Sequence, residues 1–191
     1  MTIAEMDEKL RSVLTEQRYR HSIGVMETAV SLAKAWGVSV EKAELAGLLH
    51  DCAKDIPHEV QEQMLRNREI PLDRPTAASP QLWHAVLGAE LIQEEYGITD
   101  PEIISAVRYH TTGRAEMSLL EKIIYVADCV EPNRTYDDRE ERLELAYTDL
   151  DKSFLGCINW SIKSVISRNR PAHPDSLAAR NDVILKEEET L

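Results

Sequence analysis

An apolar helical run that stops on charged residues is the feature that most constrains this chain. Segment 45–56 reads Leu-Ala-Gly-Leu-Leu-His-Asp-Cys-Ala-Lys-Asp-Ile, so the run gives way at His50, Asp51, Lys54 and Asp55. Successive helical side chains point about 100° apart, so His50 and Asp51 can face one ion only at a helix terminus or kink. Imidazole beside carboxylate suits Zn, Fe or Mn, and a lysine suits phosphate. An adjacent His-Asp pair is also ordinary on the surface of a helical protein. Whether this pair binds a metal therefore has to be judged from other residues of the chain.

Other metal-ligand residues stand at the ends of predicted helices. His21 and His84 lie in the first turns of two helices, and His110 ends a third. The apolar run 123–127 stops on Asp128. A first-turn histidine such as His21 can also be structural. Repeated placement at helix ends is, however, how a helical bundle brings side chains to one cavity.

Capping residues and apolar periodicity predict helices along almost the whole chain. Only seven glycines and one phenylalanine are present, and no segment alternates as a strand does. Residues 68–81, with three prolines, are expected to form an irregular connection and a mobile flap, and the acidic tail 182–191 is expected to fray. The helices are expected at Thr2 to about Leu14, Arg20 to Trp36, Ser39 to the His50 turn, about His58 to Asn67, Gln81 to Gly97, Asp100 to about His110, Ser118 to Asp128, and once or twice within 139–169.

Composition limits the class of partner. A net charge of −12 opposes binding to nucleic acid or to an anionic membrane, whereas a metal ion and a few local cations can still bind a small polyanion. Acidic residues at Glu5, Asp7 and Glu8 and the lack of a long apolar run lead us to expect neither a secretory signal nor a membrane span, and so to expect the cytoplasm. Three cysteines argue against a disulfide framework. Cys52 and Cys129 are interpreted as small buried side chains rather than as thiol ligands.

The order of these residues resembles that of the HD-domain metal-dependent phosphohydrolase superfamily, whose ligands come from separate helices. The resemblance runs from about residue 17 to Asn181 and is closest to the bacterial YqeK-like family of symmetrical bis(5'-nucleosyl)-tetraphosphatases. It rests on His21, on Ala-Gly-Leu-Leu-His-Asp-Cys-Ala-Lys at 46–54, on Tyr-His-Thr-Thr-Gly-Arg at 109–114, and on Val-Ala-Asp-Cys-Val-Glu-Pro-Asn-Arg at 126–134.

The resemblance implies an all-α, HD-type helical bundle formed by a single domain, 1–191. Its core would span about 18–134, with C-terminal helices within 139–169 packing on it. The implied reaction converts diadenosine tetraphosphate and water into two ADP, with a hydroxide activated by a divalent metal as the attacking group. Iron is the first choice, with manganese or magnesium as alternatives. The implied metal ligands are His21, His50, Asp51 and Asp128.

The roles of His84 and His110 stay open between two alternatives. They can hold a second metal ion, or they can contact phosphate and protonate the leaving group. We favour phosphate contact and one ion, and we count Lys54 and Asp55 with the two histidines as catalytic. Rival functions are another HD phosphohydrolase activity, such as a nucleotidase or cyclic-dinucleotide phosphodiesterase, and a nucleotide sensor without turnover.

The expected partner is a small nucleotide: a dinucleoside polyphosphate, or ADP or GDP as product. A homodimer is also compatible with the sequence. The basic segment 167–174 is either an ordinary helix stop or a lid that contacts the nucleotide. Substrate contacts are expected from His21, Lys54, Asp55, Ile56, Pro57, His84, His110, Thr111, Arg114, Asp128, Arg134, Arg170, Pro171 and His173.

Overall fold

The computed structural model describes residues 1–135 and 137–189, and every regular element in that part of the chain is helical. The all-α prediction is therefore confirmed. The helices are α1 Ile3–Val13, α2 Glu16–Trp36, α3 Val40–Leu49, α4 His58–Asn67, α5 Arg74–Ala77, α6 Trp83–Tyr96, α7 Pro101–Tyr109, α8 Leu119–Val130, α9 Arg139–Thr148, α10 Leu150–Ser167 and α11 Pro174–Glu189, with a 3₁₀ turn at Pro80–Leu82.

The predicted capping residues stand where the helices begin and end. Thr2 and Ser118 form capping boxes with the glutamates three residues later, at α1 and α8. Gly37 and Gly97 adopt left-handed backbone angles at the ends of α2 and α6, where a residue without Cβ is favoured. Asp100 caps α7 through its side chain.

Three expectations about element boundaries are wrong. Helix α2 begins at Glu16, because the Thr15 side chain caps it, so His21 lies beyond the first turn. The connection 68–81 contains the short helix α5, capped by Asp73, and the 3₁₀ turn. No helix was predicted after residue 169, whereas α11 spans Pro174–Glu189 and includes most of the acidic tail, of which the last two residues lie outside the described part.

Helix α8 occupies the middle of the bundle, where α2, α3, α7, α9 and α10 pack around it. Its apolar side chains Ile123, Ile124 and Val126 have no exposed surface. Asp128 lies in the last turn of this buried helix, so its position is set by packing on several sides.

Helices α2 and α3 approach each other closely near His21 and His50. A Cβ added to Gly47 would lie 2.8 Å from the Met26 Cα, so a larger residue would push the helices apart. This contact fixes the spacing between the helix that carries His21 and the helix that ends at His50. No helix of the described residues is long and apolar enough to cross a membrane.

Candidate metal centre and active site

The turn after α3 aims His50 and Asp51 at one region. His50 is the C-cap of α3 and keeps right-handed helical angles. Beyond it, Cys52 N donates to Leu49 O at 3.1 Å and Lys54 N donates to Asp51 O at 2.9 Å. These hydrogen bonds to the third preceding residue wind the chain more tightly than an α-helix. The pair thus stands at a helix terminus, as predicted.

Backbone carbonyls fix the proton positions of two buried histidines. His50 Nδ1 lies 2.7 Å from Gly47 O, and His110 Nδ1 lies 2.7 Å from Val107 O. Because a carbonyl can only accept, each Nδ1 carries a proton and each Nε2 presents a lone pair. Burial lowers the pKa of His50, which keeps it in the neutral, ligating form.

A buried carboxylate orients His21 in the same way. His21 Nδ1 lies 3.0 Å from Glu131 Oε1, and Glu131 Oε2 accepts from Asn133 N and Nδ2 at 2.7 and 2.8 Å. Gly24 makes room, since a Cβ there would lie 2.5 Å from Glu131 Oε2. Burial acts to lower the pKa of His21, but its hydrogen bonds to Asp128 and Glu131 outweigh burial and raise it. A carboxylate behind an imidazole is typical of metal-ligating histidines.

The Asp51 carboxylate lies at the centre of the cluster. Its Oδ2 accepts from Arg18 NH1 at 2.8 Å and lies 3.5 and 3.7 Å from Nε2 of His50 and His21. Burial acts to raise the pKa of Asp51, but the neighbouring imidazoles, His50 first, outweigh burial and hold it well below the usual range. The carboxylate is therefore charged at neutral pH.

The other oxygen of Asp51 faces a second pair of histidines. Oδ1 lies 3.1 Å from His84 Nε2 and 3.5 Å from His110 Nε2. Burial lowers the pKa of His84 to about 4, so the ring is neutral. Lys54 Nζ lies 3.2 Å from His84 Nε2, and burial lowers the pKa of this lysine against the attraction of the nearby aspartates.

Asp128 completes the cluster from α8. Its Oδ1 lies 3.1 Å from His21 Nε2 and accepts from Arg134 NH2 at 2.5 Å. Arg134 Nε also donates to Asp128 O at 2.9 Å. Burial acts to raise the pKa of Asp128, but His21 and Arg134 outweigh burial and hold it well below its ordinary value.

The donor set fits a divalent metal. Nε2 atoms are 3.3 Å apart in the His21–His50 pair and 3.2 Å apart in the His84–His110 pair. Two nitrogens bound to one ion at about 2.0–2.1 Å stand roughly 3 Å apart. Asp51 Oδ1 is buried and accepts no hydrogen bond from the described residues, so a cation would satisfy it. Within residues 1–135 and 137–189, three groups have ligand atoms within 4.8 Å of one another: His21–His50–Asp51, His50–His110–Asp128 and Asp51–His84–His110.

A cavity of about 270 Å³ opens beside this cluster. His110 and Asp128 form part of its wall, together with the cations Lys54 and Arg134 and with Thr111. Apolar and small polar side chains from α8 and α10 complete it, among them Tyr125, Cys129, Cys157, Trp160 and Ser161. Charged groups at one end and an aromatic ring on the wall suit a nucleotide with its phosphates at the cluster.

The C-terminal segment reaches this cavity through Pro171 and His173. His173 is buried, and its Nε2 lies 3.0 Å from Thr76 Oγ1 and 3.2 Å from Asp73 Oδ2. The segment therefore joins the 68–81 connection at the rim of the cavity. Arg170 is exposed and does not line the cavity.

The structure does not bring Arg114 to the cluster. Its guanidinium donates to both oxygens of Glu121, with Nε–Oε1 2.7 Å and NH2–Oε2 3.0 Å, and it lies over the Tyr109 ring. The sequence suggested a phosphate contact because Arg114 follows His110 closely. The buried carboxylate of Glu121 instead captures the cation.

Asp55 is also used elsewhere. Its Oδ2 accepts from Thr15 N and Oγ1, both at 2.8 Å, and so fixes the start of α2. Ile56 packs half-buried against the core, and Pro57 is exposed at the N-cap of α4. These three residues follow the turn that carries His50 and Asp51, and none of them lines the cavity.

Two residues that contact the cluster were not predicted from the sequence. Arg18 binds Asp51 from α2, and Glu131 binds His21 from the end of α8. Each lies three residues from a predicted ligand, Arg18 before His21 and Glu131 after Asp128. Residues three apart on a helix share a face, and that spacing was the available signal.

Comparison with known proteins places these features in context. The HD domain family matches residues 18–133. The symmetrical bis(5'-nucleosyl)-tetraphosphatase of Bacillus subtilis (strain 168) is 42% identical over 175 residues, which cover 90% of this chain and 92% of that protein. A protein of the same name from Staphylococcus aureus is 37% identical over 155 residues, 80% of this chain and 79% of its own. The crystal structure of a predicted HD superfamily hydrolase involved in NAD metabolism, from Clostridium acetobutylicum, is 39% identical with a TM-score of 0.93, over 97% of this chain and 98% of that one.

Proposed function

The chain belongs to the HD domain family, and from this premise we propose that it hydrolyses diadenosine tetraphosphate to two ADP. It is a hydrolase acting on acid anhydrides, of the symmetrical bis(5'-nucleosyl)-tetraphosphatase type, like relatives that share 37–42% of its residues. The observation that carries the proposal is the cluster of four imidazoles and two carboxylates at a cavity that also holds Lys54 and Arg134.

The reaction divides the substrate at its centre. The oxygen of a water molecule bonds to one inner phosphorus, and the bond between the bridging oxygen and that phosphorus breaks. The bridging oxygen leaves with the other half, so that each ADP carries one of the two oxygens, and the two protons of the water pass to solvent at neutral pH. Lys54 and Arg134 neutralise phosphate charge in the cavity, and the Thr111 hydroxyl donates to a phosphate oxygen.

A divalent metal belongs to this function, and we propose iron, with manganese or magnesium as alternatives. His21, His50, Asp51 and Asp128 would hold it. When bound, the ion supplies charge neutralisation and a lowered pKa for water. Asp51 Oδ1, His84 and His110 form a further three-ligand group, which supports a second ion rather than a phosphate contact alone.

The decisive experiment incubates purified protein, loaded with iron or manganese, with diadenosine tetraphosphate and separates the products. Two ADP support the proposal. ATP with AMP would mean a different cleavage. No product, with nucleotide still bound, would favour a sensor, and turnover only of mononucleotides or cyclic dinucleotides would favour another HD phosphohydrolase activity.

Four further expectations remain proposals. A single domain over 1–191 is supported by α10 packing on α8 and α9. A cytoplasmic location is supported by three cysteines that form no disulfide. The lack of nucleic acid partners is supported by the net charge of −12. A homodimer is tested by sedimentation of the purified protein.

A further inference from the structure

The metal-type cluster is reached from two sides. On one side lies the larger cavity, whose wall includes His110 and Asp128. On the other lies a separate cavity of about 100 Å³, whose wall includes His21, Arg18 and Glu131. Arg134 lines both cavities and stands between them.

The smaller cavity continues outward along the start of α2. Gln17 and Asn133 line it and also line a neighbouring open depression that reaches Arg20 and Glu16. The two depressions therefore form one path from the cluster to the surface. We name it the Arg18 groove and define it by Gln17, Arg18, Arg20 and Asn133.

The groove carries two arginines in an acidic chain, each with N–H donors beyond those that its own carboxylate partner uses. Arg18 uses NH1 for Asp51, and a guanidinium has five N–H donors. Its other donors have no partner among the described residues, although the side chain is only 27% exposed. At the outer end, Arg20 pairs with Glu16 one helical turn away, with 2.8 Å between Nε and Oε1, and its side chain is 71% exposed.

A symmetrical substrate needs two binding regions that meet at the reacting bond. The bond that breaks lies between the two inner phosphates, so the two halves leave the cluster in different directions. The larger cavity, about 270 Å³, lies just below the range of roughly 300–1,000 Å³ for pockets that bind one small-molecule ligand. It therefore accommodates one half of the molecule.

We propose that the Arg18 groove binds the second nucleoside diphosphate half of the substrate. Arg18 and Arg134 contact its phosphates, and Gln17 and Arg20 contact its sugar and base. This inference rests on the proposed function and adds a site to it. After cleavage, one ADP leaves through the larger cavity and the other through the groove.

The test compares two substrates that differ only in the second nucleoside. Diadenosine tetraphosphate has it, and adenosine 5'-tetraphosphate, which would yield ADP and pyrophosphate, lacks it. In Arg20→Ala, kcat/KM for the first substrate should fall about tenfold, because one charge-assisted contact is lost. In Gln17→Ala it should fall about threefold, because one neutral hydrogen bond is lost. For the second substrate, which lacks the nucleoside that these side chains contact, both variants should change kcat/KM by less than about twofold. Arg66→Ala is the matched control, because Arg66 is another exposed arginine paired with a glutamate one turn away, and it should change neither value.

The possible outcomes distinguish a failure of the groove proposal from a failure of the proposed function. Variants in which both substrates fall equally, or in which neither changes while the wild type forms two ADP, would overturn the groove alone. A wild type that forms no ADP from diadenosine tetraphosphate would overturn the proposed function and the groove with it. Thermal melting and metal content of each variant, expected to match the wild type, show that the fold and the cluster are intact.

Discussion

At the scale of single residues, the cluster depends on acceptors placed behind the histidine rings. Gly47 O and Val107 O hold Nδ1–H of His50 and His110, three residues before each histidine. An unsatisfied helix-end carbonyl thus selects the tautomer that directs Nε2 to the centre. The same helix ends that supply the ligands also orient them.

Asp51 lies between the two histidine pairs, so replacing Asp51 should remove more bound metal than replacing His84. We expect the wild type to bind two metal ions per chain, Asp51→Ala to bind none, and His84→Ala to keep one, because the His21 side retains its ligands. Elemental analysis of the purified variants measures this. A wild type with one ion, unchanged in His84→Ala, would return His84 to a phosphate contact. Circular dichroism should show near-native helix in both variants.

Glu131 should control metal affinity without being a ligand. Glu131→Ala removes the acceptor behind His21, and outer partners of this kind typically contribute 10–100-fold, so we expect about a tenfold or greater loss of affinity. Glu131→Gln, which can still accept from Nδ1–H, should lose less. Chelator competition gives the affinities. Equal losses in the two variants would contradict a role in holding the ring.

At the scale of elements, the start of α8 is fixed by a buried charge. Glu121 closes the capping box with Ser118 and also accepts from Arg114 and Ser105. Burial acts to raise the pKa of Glu121, but Arg114 and the hydroxyl and backbone donors outweigh burial and lower it. The pair holds the helix that delivers Asp128 to the cluster.

Arg114→Ala should destabilise the fold and leave metal content unchanged. We expect about 2 kcal/mol of lost unfolding free energy at neutral pH, because Glu121 keeps its buried charge without its strongest partner. Since folding lowers the Glu121 pKa, this contribution is present above the ordinary glutamate range and is lost as the pH falls through the folded pKa. The difference from wild type should therefore shrink in acid. Urea unfolding at several pH values measures it.

The control for that prediction is Arg66→Ala, which breaks an exposed pair with Glu62 and should cost no more than about 0.5 kcal/mol. A large loss of ADP affinity in Arg114→Ala, with stability unchanged, would restore Arg114 as a substrate contact.

At the scale of the whole molecule, His173 joins the C-terminal segment to the 68–81 connection at the rim of the cavity. His173→Ala removes its contacts with Thr76 and Asp73, so we expect about 1–2 kcal/mol lower stability and about fivefold weaker ADP binding. Calorimetry and thermal melting measure the two effects. Arg170→Ala, at an exposed neighbour, should change neither. Unchanged ADP binding with lower stability in His173→Ala would make the segment structural rather than a lid.

Short-range patterns determined the helices and most of the ligand cluster. Capping residues lie within four residues of the backbone groups that they satisfy. The caps Thr2, Ser39, Asp100 and Ser118 can therefore be predicted from the sequence. His50 and Asp128 stand where buried apolar runs end, and a helix end has few directions in which to point. The order of the predicted ligands along the chain, His21, His50, Asp51 and Asp128, was also recognised from the residues that flank each of them.

Only the tertiary structure decided where the long and charged side chains go. Arg114, Asp55 and Arg18 have several partners within reach, and the chosen ones are distant in sequence or buried: Glu121, Thr15 and Asp51. The second opening behind the cluster likewise arises where the start of α2 meets the end of α8, segments more than a hundred residues apart, as in the contact between His21 and Glu131. Charge alone does not choose between such partners. Arg114 and Arg18 bind the carboxylates that the packed helices have removed from water, and Asp55 binds the backbone N–H and hydroxyl of Thr15 at the start of α2.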